Sequence, residues 1–238
     1  MTSLVPRAPL AEQPASETNA PDAASLRVLS PKGLRTRARL IDAAKSVFER
    51  DGFLEARITD IAETARIAPG TFYHYFESKE EIFREVARAQ EERLTAPPGP
   101  EATDAAAIDS IWQRIRRSNR LYLARYRDEA AIMGVIEQVS RYDPPVNAAR
   151  MATMKHFVTR AEHAILRLQK AGAADPRIDP LFAAEALGAM TARFAELWLV
   201  QNFRNYEFDE AVEQLTILWA NALGLREEPP PPKQAGRR

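Results

Sequence analysis

RITDIAETARIAPGTFYHYFESKEEIF (residues 57–83) is the stretch whose reading decides the fold. Thr59 is expected to cap a short helix carrying Ile61, Ala62 and Ala65. A turn follows at Arg66, Ile67 and Ala68. Pro69 suits the first position of a second short helix, because the N–H it lacks has no partner there. Two short helices joined by a tight turn form the helix-turn-helix plan, in which the first braces and the second enters the DNA major groove. Phe72 and Phe76, four residues apart, share one face and should pack inward against Leu40, Ala44, Phe48 and Ile61. Gly70, Thr71, Tyr73 and His74 are then left outside. Gly70, without a side chain, lets the backbone approach phosphates closely. Thr71, Tyr73 and His74 offer hydroxyl, ring and imidazole contacts to base edges, thymine methyls and phosphates. Lys79 adds a phosphate contact from the next helix, which Ser78 and Glu81 open as a capping box.

Outward from this segment, Leu40, Ile41, Ala44, Val47 and Phe48 recur on one face of a helix expected over 34–51. Gly52 is placed as its left-handed cap, with Phe53 folding back. Downstream a connecting helix spans 79–94, and a Pro- and Gly-rich break at 96–100 ends it. Further helices are predicted at 103–126, 128–140, 145–171, 180–203 and 208–224, punctuated by proline, glycine and Asn205. Nothing shows the alternation of a sheet. The fold class is therefore all-α: an N-terminal three-helix helix-turn-helix head, 31–94, and a C-terminal helical ligand-binding and dimerisation domain, 103–225. The Pro-, Ala- and Ser-rich arm 1–30 and the Pro-rich tail 226–238 read as disordered.

Composition narrows the function. The 238 residues contain no cysteine, which removes disulfides, thiolate metal sites and cysteine nucleophiles. No signal peptide or transmembrane run is read, so a cytoplasmic location without membrane contact is expected. The formal net charge is zero. A local cationic run, Lys32, Arg35, Arg37 and Arg39, nevertheless supplies a footprint for a phosphate backbone. His156 and His163 are seven residues apart on one helix, roughly 10 Å by helical rise and too far for one metal ion. With no phosphate loop and no nucleophile elbow, neither catalytic nor metal-binding residues are assigned, no cofactor is expected, and the chain is not read as an enzyme.

The head resembles the TetR family of bacterial transcriptional regulators. The likeness runs through residues 39–44, 48–53, 58–62, 67–76 and 78–82, in order and at the family's spacing, and covers roughly 34–94. It implies that Thr59, Thr71, Tyr73, Tyr75 and Lys79 fall at positions used on DNA. His74 stands one position earlier than the histidine in the family's usual Tyr-x-His-Phe, which points to an operator preference of its own.

In the body, small residues on the helix at 180–203, including Ala184, Gly188 and Ala192, permit close approach. Val212, Leu215 and Trp219 lie on the broad apolar surface of the helix at 208–224. The resemblance implies that these two helices form a four-helix homodimer interface and that the dimer faces a palindromic double-stranded operator. Trp112, Tyr122, Tyr126, Met133, Met154, His156, Phe157, Phe194 and Trp198 are the candidates to line a pocket for a lipophilic effector. Arg116, Arg117, Arg120, Arg125 and Arg127 suggest a variant, an effector with an anionic head such as an acyl-CoA. The functional expectation is a repressor released by its ligand. The alternative is a helical adaptor protein whose head does not bind DNA.

Overall fold

The computed structural model describes residues 29–97 and 110–225. The arm, the tail, and the predicted break and helix start within 98–109 lie outside the described residues. The chain divides into two units at Thr36 and Arg37. In the first, Thr36 donates to the Lys32 carbonyl as the helix begins. The remaining description concerns the second unit.

Every element among the described residues is helical. The head contains α1 (Pro31–Glu55), α2 (Ile58–Thr64), α3 (Pro69–Phe72) and the connecting α4 (Lys79–Thr95). The body contains α5 (Ile111–Asp128), α6 (Ala130–Ser140), α7 (Pro144–Lys170), α8 (Pro180–Ala195) and α9 (Phe208–Ala222). A π turn, Glu196–Val200, prolongs α8. The predicted body helices are thus present, each ending within a few residues of its expected position.

Local chemistry explains the breaks. Gly52, at φ 72° and ψ 175°, interrupts α1 in a conformation open to glycine. It is therefore a kink within α1 rather than its left-handed end, and helical turns resume through Glu55. Asp143 and Asp179 each sit before a proline, and their carboxylates accept the Val146 and Phe182 N–H groups at 3.0 and 2.7 Å. These caps satisfy donors that the first turn leaves without partners. Ser110 and Gln113 form a complete capping box at the start of α5. Gly134 on α6 permits a close crossing: a Cβ there would lie 2.7 Å from Val200 Cγ1 in the π turn.

One continuous apolar core runs from Leu40, Phe48, Phe72 and Phe83 through Leu123, Ile132 and Ile136 to Val212 and Leu215. A second cluster joins Ile165, Ala184, Ala220 and Leu223. The core thus extends without a gap from the helix-turn-helix into the body, with α4 common to both. Two ion pairs reinforce that continuity. Arg84 on α4 holds Asp143, the α7 cap, at 2.8 Å. Lys45 on α1 meets Glu129, at the α5–α6 junction, at 2.7 Å, and Arg93 on α4 meets the same carboxylate at 3.2 Å. Burial alone would push the Asp143 carboxyl up. The Arg84 guanidinium and the Val146 N–H outweigh it and hold the group below the usual range.

Candidate nucleic-acid interface

The helix-turn-helix is closed by backbone bonds. After α2, Arg66 takes a left-handed φ of 54°. Its N–H reaches the Glu63 carbonyl at 2.9 Å, and the Ile67 N–H reaches that of Ala62 at 3.0 Å. This double closure ends α2 and turns the chain into α3. The α2 cap is Arg57, without a side-chain bond, whereas the Thr59 hydroxyl faces Asp60 at 3.3 Å. The expectation that Thr59 caps α2 is corrected: it already lies inside the helix, exposed.

Pro69 occupies the start of α3 as expected. The regular helix is short, and tight turns carry it on through Tyr75, with the Phe76 N–H donating to the Phe72 carbonyl at 3.1 Å. The faces divide as the spacing predicts. Phe72 and Phe76 are buried in the core with Leu40, Ala44, Phe48 and Ile61. Tyr73 is 60% exposed. Gly70 and His74 are exposed too, and Thr71 is half-buried. A Cβ on Gly70 would meet nothing within 4 Å, so the subunit itself does not demand glycine there. Tyr75 is half-buried and packs against the core, so its ring serves packing as well as surface.

Two cations near this surface are engaged in the fold. Lys79 Nζ donates to the carbonyls of Phe53, Leu54 and Ala56 at 2.7, 3.0 and 2.9 Å and lies 4.8 Å from the centre of the Phe53 ring. All three ammonium protons are thereby aimed at the end of α1. Arg37 stands 5.0 Å above the Phe76 ring and pairs with Glu85 on α4 at 2.6 Å. Sequence reasoning missed both clamps, because no local spacing links residue 79 to 53–56 or residue 37 to 85. Half of the predicted capping box is present: Ser78 accepts the Glu81 N–H at 3.1 Å, while the Glu81 carboxylate accepts from Glu77.

The expected pocket residues do not converge. Tyr122 contacts Tyr126 and the Phe157 ring, at 5.9 and 5.6 Å between centres. Phe194 and Trp198 belong to another group with Tyr206 and Phe208. Met133 is buried in the core shared by Tyr126 and Trp198, and Trp112 packs in the second cluster. Met154 is half-buried, and His156 is exposed on α7. Of the five arginines, Arg116 is paired with Glu213 and Arg120 with Asp209. Arg125 donates to the carbonyls that end α4, and Arg127 stacks on Phe208. They hold helices together, which leaves little free positive charge for an anionic head.

The expected dimer residues require a correction. Ala184, Val212 and Leu215 are 1%, 1% and 3% exposed, so their side chains complete the subunit's own core. Trp219 donates from its indole to Thr191 on α8 at 3.0 Å. Gly188 and Ala192 are half-buried. The outward face instead carries Phe182 and Leu218, 71% and 50% exposed, together with Ala186 and Ala189.

An apolar-floored helix-turn-helix, exposed at Tyr73 and His74 and joined to a helical body, defines the class of protein. Residues 40–86 match the family model of bacterial regulatory proteins, tetR family. The chain belongs to the TetR family of transcriptional regulators. It is 38% identical over 61 residues to the HTH-type transcriptional regulator UidR of Escherichia coli, a match covering 26% of this chain and 31% of UidR. The chain thus spans about a third of that relative's length. EthR of Mycolicibacterium smegmatis is 24% identical over 209 residues, covering 88% of this chain and 94% of EthR. Among solved structures, the fatty acid degradation regulator FadR of Bacillus halodurans superposes with a TM-score of 0.65 at 16% identity, over 80% of this chain and 97% of FadR. That likeness concerns the fold. Among the described residues, no helix is long and apolar enough to cross a membrane.

Proposed function

We propose that the protein is a dimeric repressor that acts in the cytoplasm, binds a palindromic operator, and is released by a lipophilic small molecule. The observation that carries the reading is the division of α3: Phe72 and Phe76 fully buried beneath exposed Tyr73 and His74. In it Gly70, Thr71, Tyr73 and His74 meet the major groove, and Thr59 and Tyr75 contribute at its margins. Residues 31–94 act as the DNA-binding head, and 103–225 as the effector-binding and dimerising body. Lys79 serves the operator chiefly by fixing the end of α1.

Two copies meet through the outward faces of α8 and α9, around Phe182, Ala186, Ala189 and Leu218. A two-fold axis there sets the recognition helices roughly 34–36 Å apart, or a multiple, along the duplex. The effector binds the DNA-incompetent arrangement more tightly than the competent one and so shifts the population toward release. Selection from random duplex DNA with the purified chain, at stated salt, tests the reading. A recovered palindrome whose binding weakens with salt is expected. Absence of sequence preference would remove operator recognition and leave a protein-binding adaptor.

A further inference from the structure

Between α4 and α7 lies a cleft of about 360 Å³, lined by Arg88, Glu91, Glu92 and Thr95 on one side and Ala149, Ala152, Thr153 and His156 on the other. Glu91 is 7% exposed, the most deeply buried ionisable group on these walls. The cations nearby are already occupied. Arg88 pairs with Glu85 at 2.6 Å and Glu92 at 3.0 Å. Arg150 pairs with Glu137 and donates to Ser140 Oγ at 3.0 Å. The Thr153 hydroxyl bonds to Glu91, and Arg150 acts on it through its charge alone. Burial outweighs both and raises the Glu91 carboxyl above its ordinary range. Aromatic surface lies close by: the Tyr122 phenol feels the Glu91 charge, Tyr122 packs on Phe157, and His156 packs on Phe157 at 5.7 Å.

We infer that the α4–α7 cleft is the effector site and that it selects a lipophilic cation, whose charge is met by the Glu91 carboxylate. The inference rests on the effector reading of the body and adds the ligand's chemical class. Arg88 carries one positive charge on the walls, Glu91 and Glu92 two negative ones. An entering anion would face Glu91 as a like charge in a desolvated setting. An entering cation supplies the counter-charge that the fold withholds, beside rings whose faces attract cations. The position also suits regulation. A ligand wedged here bears on α4, which carries Lys79 at the α1 terminus and Arg84 on the α7 cap.

Two lipophilic ions of matched shape and opposite charge, tetraphenylphosphonium and tetraphenylborate, test the assignment by calorimetric titration of the full chain at fixed ionic strength. The phosphonium should bind at least about tenfold more tightly than the borate. Glu91→Gln should erase that preference by weakening the phosphonium about tenfold, with its thermal midpoint preserved. Ala152→Leu, exposed at the lip and harmless to packing, should block entry independently if the Glu91 variant folds poorly. Equal or tighter binding of the borate, phosphonium affinity indifferent to both substitutions, or no phosphonium binding up to millimolar concentration would overturn the inference. The same titration repeated on operator-bound protein separates the two claims. Phosphonium binding with the expected charge preference but without operator release supports the cleft and counts against ligand-driven release.

Discussion

The α3 segment and the α8–α9 pair both lay an outer surface over a buried apolar floor, and the two surfaces have opposite chemistry. Above Phe72 and Phe76, the outer residues are Thr71, Tyr73 and His74, groups that hydrogen-bond as well as they pack. Above Ala184, Val212 and Leu215, the outer residues include Phe182 and Leu218. A polar, aromatic surface fits a hydrated groove lined with donors, acceptors and methyl groups. An exposed apolar surface gains most from another apolar surface, because the gain scales with the area removed from water. One packing scheme therefore yields two kinds of contact, set by what stands one residue away from the core.

Neighbouring residues can break this comparison most forcefully. Phe72→Ala should cost about 3–5 kcal/mol, the range for truncating a buried phenylalanine. Tyr73→Ala should leave stability within about 0.5 kcal/mol while abolishing specific DNA binding. Chemical denaturation and an operator-binding assay read the two effects separately. Equal stability losses would show that the α3 faces are misassigned.

The same contrast is sharper within α9. Leu215→Ala should destabilise the subunit by about 2–5 kcal/mol. Leu218→Glu, only three residues on, should leave the helical signal intact and convert dimer to monomer. Sedimentation of the two variants decides it, and a folded dimer of Leu218→Glu would move the interface elsewhere.

A smaller effect is expected at Lys79. Lys79→Met keeps much of the stem's packing and removes the charged donors from three carbonyls. A loss of about 1.5–3 kcal/mol should follow, the range for hydrogen bonds to charged groups. DNA affinity should fall because the end of α1 loosens. Unchanged stability with a reduced salt slope would instead return Lys79 to a direct phosphate contact.

The two regions differed in legibility for a physical reason. In α3 the apolar positions form a single stripe, Phe72 and Phe76, bounded by Pro69 and the Ser78 cap, so only one rotation of the segment buries them. In α9, Val212, Leu215, Leu218, Trp219 and Ala222 cover more than one stripe. Helical period alone does not say which stripe faces the subunit and which faces out. The pocket was less legible still. Tyr122 and Phe194 read alike in sequence and lie in separate ring clusters, and Glu91 carried no signal because its burial depends on α7, some sixty residues away.

The sequence by itself determined the helices, their breaks and the helix-turn-helix, because caps, prolines and helical period act within a few residues. The buried side of α3 was also settled locally. Only the tertiary structure decided that Lys79 and Arg37 clamp the head and that Leu215 turns inward while Leu218 turns out. It also decided that Glu91 is buried against α7. Those outcomes depend on which distant helix supplies the carbonyl, the ring or the counter-charge, and no spacing along the chain encodes that neighbour.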